Sequence, residues 1–302
     1  MKCYVVDAFS NKIFSGNPAA ICILEGKWLD DNLMQNIARE HNLSETAFIL
    51  KESENVSPQK DSLNDRCLDN APYLLRWFTP AKEIDLCGHA TLASAFVVMN
   101  ILNPNLKNVE FHTRSGLLKV NKRDSIYSMD FPSFPLRPVE VDAAMSEAIG
   151  YTPLEAYMGR DLVCVLDSAQ AVREAKPHTQ RIESLKGELL HITARGEEYV
   201  EDKEYARRKE SEKYVKGEKY AKSEKYDCIS RSFAPKHGIN EDPVCGSGHC
   251  HLVPLWKRKL NKDKILAYQA SSRGGILHCE CKDDRVILGG EAVLYSVNEI
   301  CL

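Results

Sequence analysis

The sequence predicts an α+β fold built from two similar halves, because the same short motifs occur twice in the same order. In each copy an arginine-led strand ends at proline, a Cys-Gly helix start follows, and an arginine-containing turn comes later. The matched segments are 76–80 and 231–235, 87–89 and 245–247, and 113–118 and 272–277. We therefore place the halves at 1–131 and 132–302, with a strand near 288–302 as a candidate to return to the first half.

Hydrophobic periodicity predicts the elements of the first half. Strands are expected at 3–6 and 19–24, then a helix that carries Leu33, Ile37 and Ala38 at helical spacing and stops near Asn42. A strand follows at 46–50, so that Glu45 stands where the helix gives way to the strand. Polar residues 52–70 indicate an exposed loop. The remaining expected elements are a buried strand at 73–80, a buried helix at 92–99, and hairpin strands at 111–120 and 128–131.

The second half starts after a linker that Pro132, Pro135 and Pro138 mark. The pattern predicts a short helix at 143–149, a helix after Cys245, and late hairpins within 268–294. Strands are expected at 162–166, 189–194 and 228–235. Cys279 and Cys281 fit one face of a strand, and we do not expect them to bind metal because no second cysteine pair stands at a suitable spacing.

Residues 200–226 break the pattern of this half. They contain near-repeats of Glu-Lys-Tyr with balanced charge and almost no aliphatic residues. Removing them would leave a plain strand-turn-strand, so we interpret the segment as an insertion that forms a solvated hairpin extension or a charged helix. An arm that binds nucleic acid or a protein partner is the alternative, although balanced charge gives little electrostatic attraction.

Composition excludes several classes of protein. The chain has 302 residues, 43% of them hydrophobic, and a net charge of −3, which gives no reason to expect nucleic acid or a membrane as partner. No apolar run approaches the roughly 18 residues of a membrane span. The 11 cysteines are an odd number, and the first residues lack a signal-like apolar core. We expect a cytoplasmic protein with reduced thiols, in which Cys22 and Cys164 are small core residues.

A candidate site follows from the repeat. The acidic loop at 240–244 delivers Cys245 to a helix start, and Cys87 stands at the matching start in the first half. A pseudo-twofold axis would direct both helix N-termini into one cleft, where their N–H groups bind a carboxylate and acid–base groups flank one carbon. Because the sequence has no cofactor motif, we expect proton transfer without a cofactor. From spacing alone, Glu45 is either a solvated turn residue or a residue held at such a site, with the solvated interpretation favoured.

Motifs along nearly the whole chain then resemble those of the PhzF-like family, the phenazine-biosynthesis isomerases that share a fold with diaminopimelate epimerase and proline racemase. These motifs are residues 7–9, 16–19, 42–48, 76–80, 85–91 and 241–247. The resemblance implies two domains, each a barrel-like sheet around a central helix, with the active site in the cleft between them. It also implies that Glu45 is the general acid–base, that His89 and Asp242 assist it, and that Gly246 and Ser247 anchor the substrate.

The further expected binding residues are Asn17, within the 16–19 motif, and Gly88, at the first helix start. The first hypothesis is thus an isomerase of a small carboxylate-bearing substrate, cofactor-free and biosynthetic, with a homodimer as the expected assembly. The second is a racemase or epimerase that uses Cys87 and Cys245 as opposed bases. The third is a non-catalytic protein that binds partners through 200–226. A metal at His249 and His251 is not expected, because the helix offers no third ligand at fitting spacing.

Overall fold

The computed structural model describes residues 1–51, 73–196, 198–199 and 224–302. The expected loop at 52–70 and nearly all of the expected insertion at 200–226 lie outside these residues. At the base of the insertion, Glu198–Tyr199 pairs antiparallel with Glu224–Lys225. No helix in the described ranges is long and apolar enough to cross a membrane.

The elements of the N-terminal part of the chain alternate between strands and two long helices. They are β1 Lys2–Ala8, β2 Asn17–Leu24, α1 Asp31–His41, β3 Glu45–Lys51, β4 Tyr73–Phe78, β5 Glu83–Ile84, α2 Gly88–Val97, β6 Asn108–Thr113, β7 Gly116–Arg123 and β8 Ile126–Pro132. Asp30 caps α1 by accepting the N–H of Asn32, and Asn42 ends it in the left-handed conformation. Glu45 is therefore the first residue of a strand that begins just beyond a helix end.

The C-terminal part contains the second long buried helix. Its elements are β9 Arg137–Val139, α3 Ala143–Ile149, β10 Glu155–Met158, β11 Leu162–Val165, α4 Ala169–Glu174, α5 Thr179–Glu183, β12 Leu190–Arg195, β13 Glu198–Tyr199, β14 Glu224–Lys225, β15 Cys228–Ala234, β16 Ile239–Asp242, α6 Gly246–Leu260, β17 Lys264–Gln269, β18 Gly275–Lys282, β19 Arg285–Gly290 and β20 Ala292–Glu299. Cys279 and Cys281 are both buried on β18, as predicted.

Strand pairing repeats with the same sense in two series, which confirms an α+β fold of two similar halves. The first series runs β20-β1-β2-β3-β4-β6-β7-β8, and the second runs β9-β10-β11-β12-β15-β17-β18-β19. The parallel pairs β2–β3 and β4–β6 correspond to β11–β12 and β15–β17, and all other neighbours in both series are antiparallel. Pairing of β8 with β19 joins the series into one sheet. The domain boundary at 131/132 stays a prediction.

The repeated arginine makes the same contacts in each half. Arg76 donates from two nitrogens to both oxygens of Glu83, at 2.7 and 2.8 Å, and its guanidinium lies 5.2 Å from the Phe78 ring. Arg231 likewise donates to both oxygens of Glu241, at 2.7 and 2.9 Å, and lies 5.1 Å from the Phe233 ring. The motif match at 76–80 and 231–235 thus reflects one structural unit present twice.

A buried helix fills each series. The α2 helix contacts β1 and β20 at one end of its series and β8 at the other end, so the sheet wraps around it. It is apolar on nearly all sides, as expected for a helix inside a barrel. The α6 helix packs on β17, β18 and β19, and its Trp256 Nε1 donates to Thr193 Oγ1 on β12 at 3.0 Å. Both helices therefore begin inside the fold rather than on its surface.

The structure differs from the sequence-based elements mainly in short segments. The helix predicted at 92–99 begins at Gly88, because Cys87 rather than a polar residue occupies its N-cap position. The strands β5, β9, β10 and β16 and the helices α4 and α5 were not predicted. Each has only two to six residues, too few for a clear period.

Candidate active site

The N-termini of α2 and α6 meet at the junction of the two halves. A Cβ atom placed on Gly88 would lie 3.7 Å from the Gly246 Cα, and one on Gly246 would lie 3.6 Å from the Gly88 Cα. These are van der Waals distances, so the two helix starts approach each other closely at the glycines. The convergence directs first-turn N–H groups of two helices toward one place, which favours an anion.

Glu45 lies at this junction. It is only 6% exposed, so the interpretation of Glu45 as a solvated turn residue is wrong. Its Oε2 is 2.9 Å from Nε2 of His89, the second residue of α2. Burial lowers the pKa of His89, but the nearby Cys87 and Glu45 outweigh this effect and raise it well above its usual value. The raised pKa favours the protonated form of His89 beside the carboxyl group of Glu45.

Asn17 links the two halves at the same point. Its Nδ2 lies 2.8 Å from Asp242 Oδ1, 3.0 Å from the Val244 carbonyl and 3.2 Å from His89 Nδ1. The amide nitrogen has only two hydrogens for these three neighbours. When His89 Nδ1 carries a proton it cannot accept, so the amide donates to Asp242 and to the Val244 carbonyl. His89 Nδ1 then faces Cys87 Sγ at 3.6 Å. The side chains of β2, α2 and β16 thus form one connected array.

Asp242 supplies the second carboxyl group, from the other half. Burial raises its pKa, and the negative charge of Glu45 adds to this rise, while His89 opposes it. Glu45 contacts the imidazole of His89 directly, and Asn17 connects that imidazole to Asp242, whose pKa is raised; such a set can hold and transfer a proton. Ser247 lies beside them, half-buried at the start of α6.

Neither cysteine at the helix starts has the environment of a thiolate base. Burial raises the pKa of Cys87, and the neighbouring Glu45 raises it further. Burial and Asp242 raise the pKa of Cys245 well above its usual value. Cys245 Sγ accepts the N–H of Gly248 at 3.3 Å and lies 3.4 Å from Ser247 Oγ, so it caps α6. The two-thiol hypothesis is not favoured by this geometry.

Gln269 supports the acidic loop and was missed by the sequence analysis. It is fully buried, its Oε1 accepts the Cys245 N–H at 2.9 Å, and its Nε2 donates to the Asp242 carbonyl at 2.6 Å. The two bonds fix both ends of the turn that carries Asp242 and Cys245. No local motif marks a glutamine at the end of β17 for this task, since its partners lie 24 and 27 residues away.

Arg273 fixes the loop before Asn17 and was also missed as a site residue. Its Nη2 donates to Asp7 Oδ1 at 2.7 Å and its Nε to the Gly16 carbonyl at 2.8 Å. Gly16 in turn has φ +71°, and a Cβ there would lie 2.2 Å from the Ala8 carbonyl oxygen. The repeat at 272–277 was the available signal, because Arg273 matches Arg114, which pairs with Glu83 at 2.7 Å.

A second buried polar group lies beneath α6. His191 Nε2 is 3.0 Å from Asp161 Oδ2, and His191 Nδ1 is 2.9 Å from Ser232 Oγ. Asp161 N–H donates to His251 Nε2 at 3.4 Å, and burial lowers the pKa of His251 to about 4. The ring of His249 contacts the Cys245 carbonyl from Nδ1 at 2.7 Å. These side chains contact one another inside the second barrel, but Asp161 Oδ1, His249 Nε2 and His251 Nδ1 have no hydrogen-bond partner among the described residues.

The structure brings all the predicted site residues to one junction, while their roles stay predictions. The residues are Asn17, Glu45, Cys87, Gly88, His89, Asp242, Cys245, Gly246 and Ser247. Three buried polar atoms there have no well-aligned hydrogen-bond partner among the described residues: Glu45 Oε2, His89 Nε2 and Asn17 Oδ1. Such atoms are rare in folded proteins, and their position beside two converging helix N-termini indicates a site that acts on a ligand.

Comparisons with known proteins agree with this architecture. The family described as phenazine biosynthesis-like protein matches residues 6–297. An uncharacterized isomerase of Halalkalibacterium halodurans is 39% identical over 306 residues, which cover 99% of this chain and 98% of the relative. An uncharacterized isomerase of Pseudomonas aeruginosa is 38% identical over 298 residues, covering 98% and 97%.

Solved structures give the same result. A PhzF family protein of Enterococcus faecalis superimposes with a TM-score of 0.82 at 41% identity, over 100% of this chain and 99% of that one. A predicted epimerase of Pseudomonas aeruginosa, 18% identical, shares the fold with a TM-score of 0.64, over 100% of this chain and 99% of its own. The predicted fold, two epimerase-like barrels that each enclose a helix, is thereby confirmed. The family match, the relatives and the solved structures together show that the chain belongs to the PhzF-like family of phenazine biosynthesis-like isomerases.

Proposed function

We propose that the chain is a cofactor-independent isomerase that moves a proton on a small carboxylate-bearing substrate, with Glu45 as general acid–base. The observation that carries this proposal is the pair Glu45 Oε2 and His89 Nε2, 2.9 Å apart, buried, and without a well-aligned hydrogen bond. Two such atoms at a junction of helix N-termini are placed to contact a ligand. A carboxylate can take a proton from carbon and return it, so no added group is required.

Three ionisable side chains of the site support this proton transfer. Glu45 accepts a proton from a substrate carbon, and the imidazolium of His89 stabilises the negative charge that develops on the substrate. Asp242, whose pKa is raised by burial, donates a proton to a second position or returns one to the first. Return to another carbon gives an isomer, and return to the opposite face of the same carbon gives an epimer. In both cases one proton leaves the substrate and one is added, so the product has the same composition as the substrate.

The starts of α2 and α6 would bind the substrate. The first-turn N–H groups of α2 and α6, at Gly88 and Gly246, would bind the substrate carboxylate, and the Ser247 hydroxyl would add a hydrogen bond. Asn17 Oδ1, buried and without an aligned partner, is an acceptor for a hydroxyl or amino group of the substrate. The substrate class that fits is a small amino-acid-like or cyclic hydroxylated acid.

A deuterium wash-in screen tests the proposal. The full chain is incubated in D₂O with amino acids and hydroxylated cyclic acids, and NMR follows loss of C–H signals. Glu45→Gln should abolish exchange while circular dichroism stays native, and Glu40→Gln, on the exposed face of α1, is the matched control. Full exchange by Glu45→Gln contradicts the proposal. Loss of exchange in Cys245→Ser with retention in Glu45→Gln would establish the two-thiol mechanism in its place.

A further inference from the structure

A cluster of two thiols and an imidazole lies on the face of the sheet opposite α2. Cys3 of β1 and Cys22 of β2 are directly opposed across an antiparallel pair. Both are fully buried in the small core under α1, together with Met34 and Phe48. Directly opposed residues of neighbouring strands bring their side chains together on one face. His41, the last residue of α1, lies over this pair and is half-buried, so the cluster is close to solvent.

The distances fit a tetrahedral metal ion. Cys3 Sγ is 3.9 Å from His41 Nε2, and the Sγ of Cys22 completes a set of three donor atoms within 4.8 Å of one another. Zinc bonds of about 2.3 Å to sulfur and about 2.0 Å to nitrogen place tetrahedral S and N ligands about 3.6 Å apart. Cys3 Sγ and His41 Nε2 are therefore within a few tenths of an ångström of the separation that a bound ion would impose, and the third donor lies within 4.8 Å of both.

A hydrogen bond outside the cluster orients the imidazole. His41 Nδ1 lies 3.0 Å from Thr46 Oγ1. In the tautomer in which Nδ1–H donates to Thr46, the lone pair of Nε2 faces the sulfur atoms, as in most metal-bound histidines. The group of Asp161, His191 and His251 lacks this arrangement, because the Asp161 N–H already occupies the Nε2 lone pair of His251. The thiol cluster is thus the better ligand set of the two.

We propose that Cys3, Cys22 and His41 form a binding site for a thiophilic divalent cation such as Zn²⁺. Water from the solvent side supplies the fourth ligand. Binding replaces the two thiol protons, which go to solvent, and involves no oxidation or reduction. The site is distinct from the candidate active site, and it would fasten the end of α1 to β1 and β2. Since Thr46 follows Glu45 on β3, the same contacts also hold the start of the strand that carries Glu45.

Metal titration of the reduced, metal-stripped full chain tests this site without any substrate. Calorimetry with Zn²⁺ should show a single site per chain, and Co²⁺ should give the visible bands of a tetrahedral ion with sulfur ligands. Cys22→Ser and His41→Gln should abolish the Co²⁺ bands. Thr46→Val should weaken Zn²⁺ binding by about 10-fold to 100-fold, because it removes the orienting bond.

Matched controls are Cys164→Ser, a buried cysteine of the second half, and His112→Gln, an exposed histidine on β6. Both should bind as the wild type does. Circular dichroism of each variant shows whether it folds, and His41→Gln, at a half-buried position, keeps the test valid if Cys22→Ser does not. Absence of Zn²⁺ binding by the wild type overturns the proposal. Equal binding by wild type and His41→Gln, or a Cys3–Cys22 disulfide that forms equally with and without Zn²⁺, also overturns it.

Discussion

Replacing Gln269 by leucine should loosen the acidic loop without leaving a cavity, since the two side chains are similar in size. Gln269 is fully buried, and its amide makes one hydrogen bond to the Cys245 N–H and one to the Asp242 carbonyl. Leucine can replace neither bond. Two backbone groups at the junction of the halves would then lose their partners in a place that water does not easily reach.

The expected loss of stability follows from these two unpaired backbone groups. A buried donor or acceptor without a partner costs about 1–3 kcal/mol, so the two together cost about 4 kcal/mol. The entropy of unfolding for 302 residues is about 0.6 kcal/mol/K if the chain unfolds as one unit, which converts this loss into a fall in Tm of about 6 °C. Displacement of Asp242 by on the order of 1 Å should slow proton exchange by on the order of 100-fold.

Thermal unfolding followed by circular dichroism measures the first effect, and deuterium wash-in measures the second. Gln35→Leu is the matched control, because half-buried Gln35 makes a single bond, from Nε2 to the Thr79 carbonyl at 2.8 Å. It should lower Tm by only about 1–2 °C and leave exchange unchanged. If Gln269→Leu changes Tm no more than Gln35→Leu does, the assignment of Gln269 as the support of the loop is refuted.

Two further predictions concern backbone conformation and pH. Gly16→Ala should lower the free energy of unfolding by at least about 3 kcal/mol in urea titration, because its Cβ would lie 2.2 Å from a carbonyl oxygen. Gly26→Ala, at a similar φ of +75° but with nothing within 4 Å, should cost only about 1 kcal/mol, and equal costs would contradict the argument. Because the folded-state pKa of His89 is raised, its stabilisation is complete below pH 6.5 and is lost as pH rises through that raised pKa. Glu45→Gln should flatten this alkaline loss, and an unchanged pH profile would argue against the ion pair.

Local sequence patterns were sufficient to predict the long elements and the two helix starts at the site. The segments that became β3, β4 and α6 contain continuous apolar runs, and the Cys-Gly motif appears twice in a single order. Spacing alone failed for Glu45, because nothing near it in the sequence shows that α2 of the same half and β16 of the other half would bury it. The resemblance to a family supplied that information.

Contacts between distant segments could not be predicted from one sequence. Asp7 and Arg273 are 266 residues apart, and their ion pair exists only because the last hairpins return to the first loop. Cys3 and Cys22 looked like separate core residues until the register of β1 and β2 placed them opposite each other. In both cases strand pairing decided the neighbours, and each strand's own periodicity carries no information about its partner.

The pairing of β20 with β1 has a consequence for how the chain matures. Residues 292–299 are synthesised long after β1, yet they pair with it and cover its outer edge. During translation the edge of β1 therefore stays uncovered until β20 emerges, and an uncovered edge strand is a template for pairing with other chains. The first half cannot finish folding vectorially, ahead of the second.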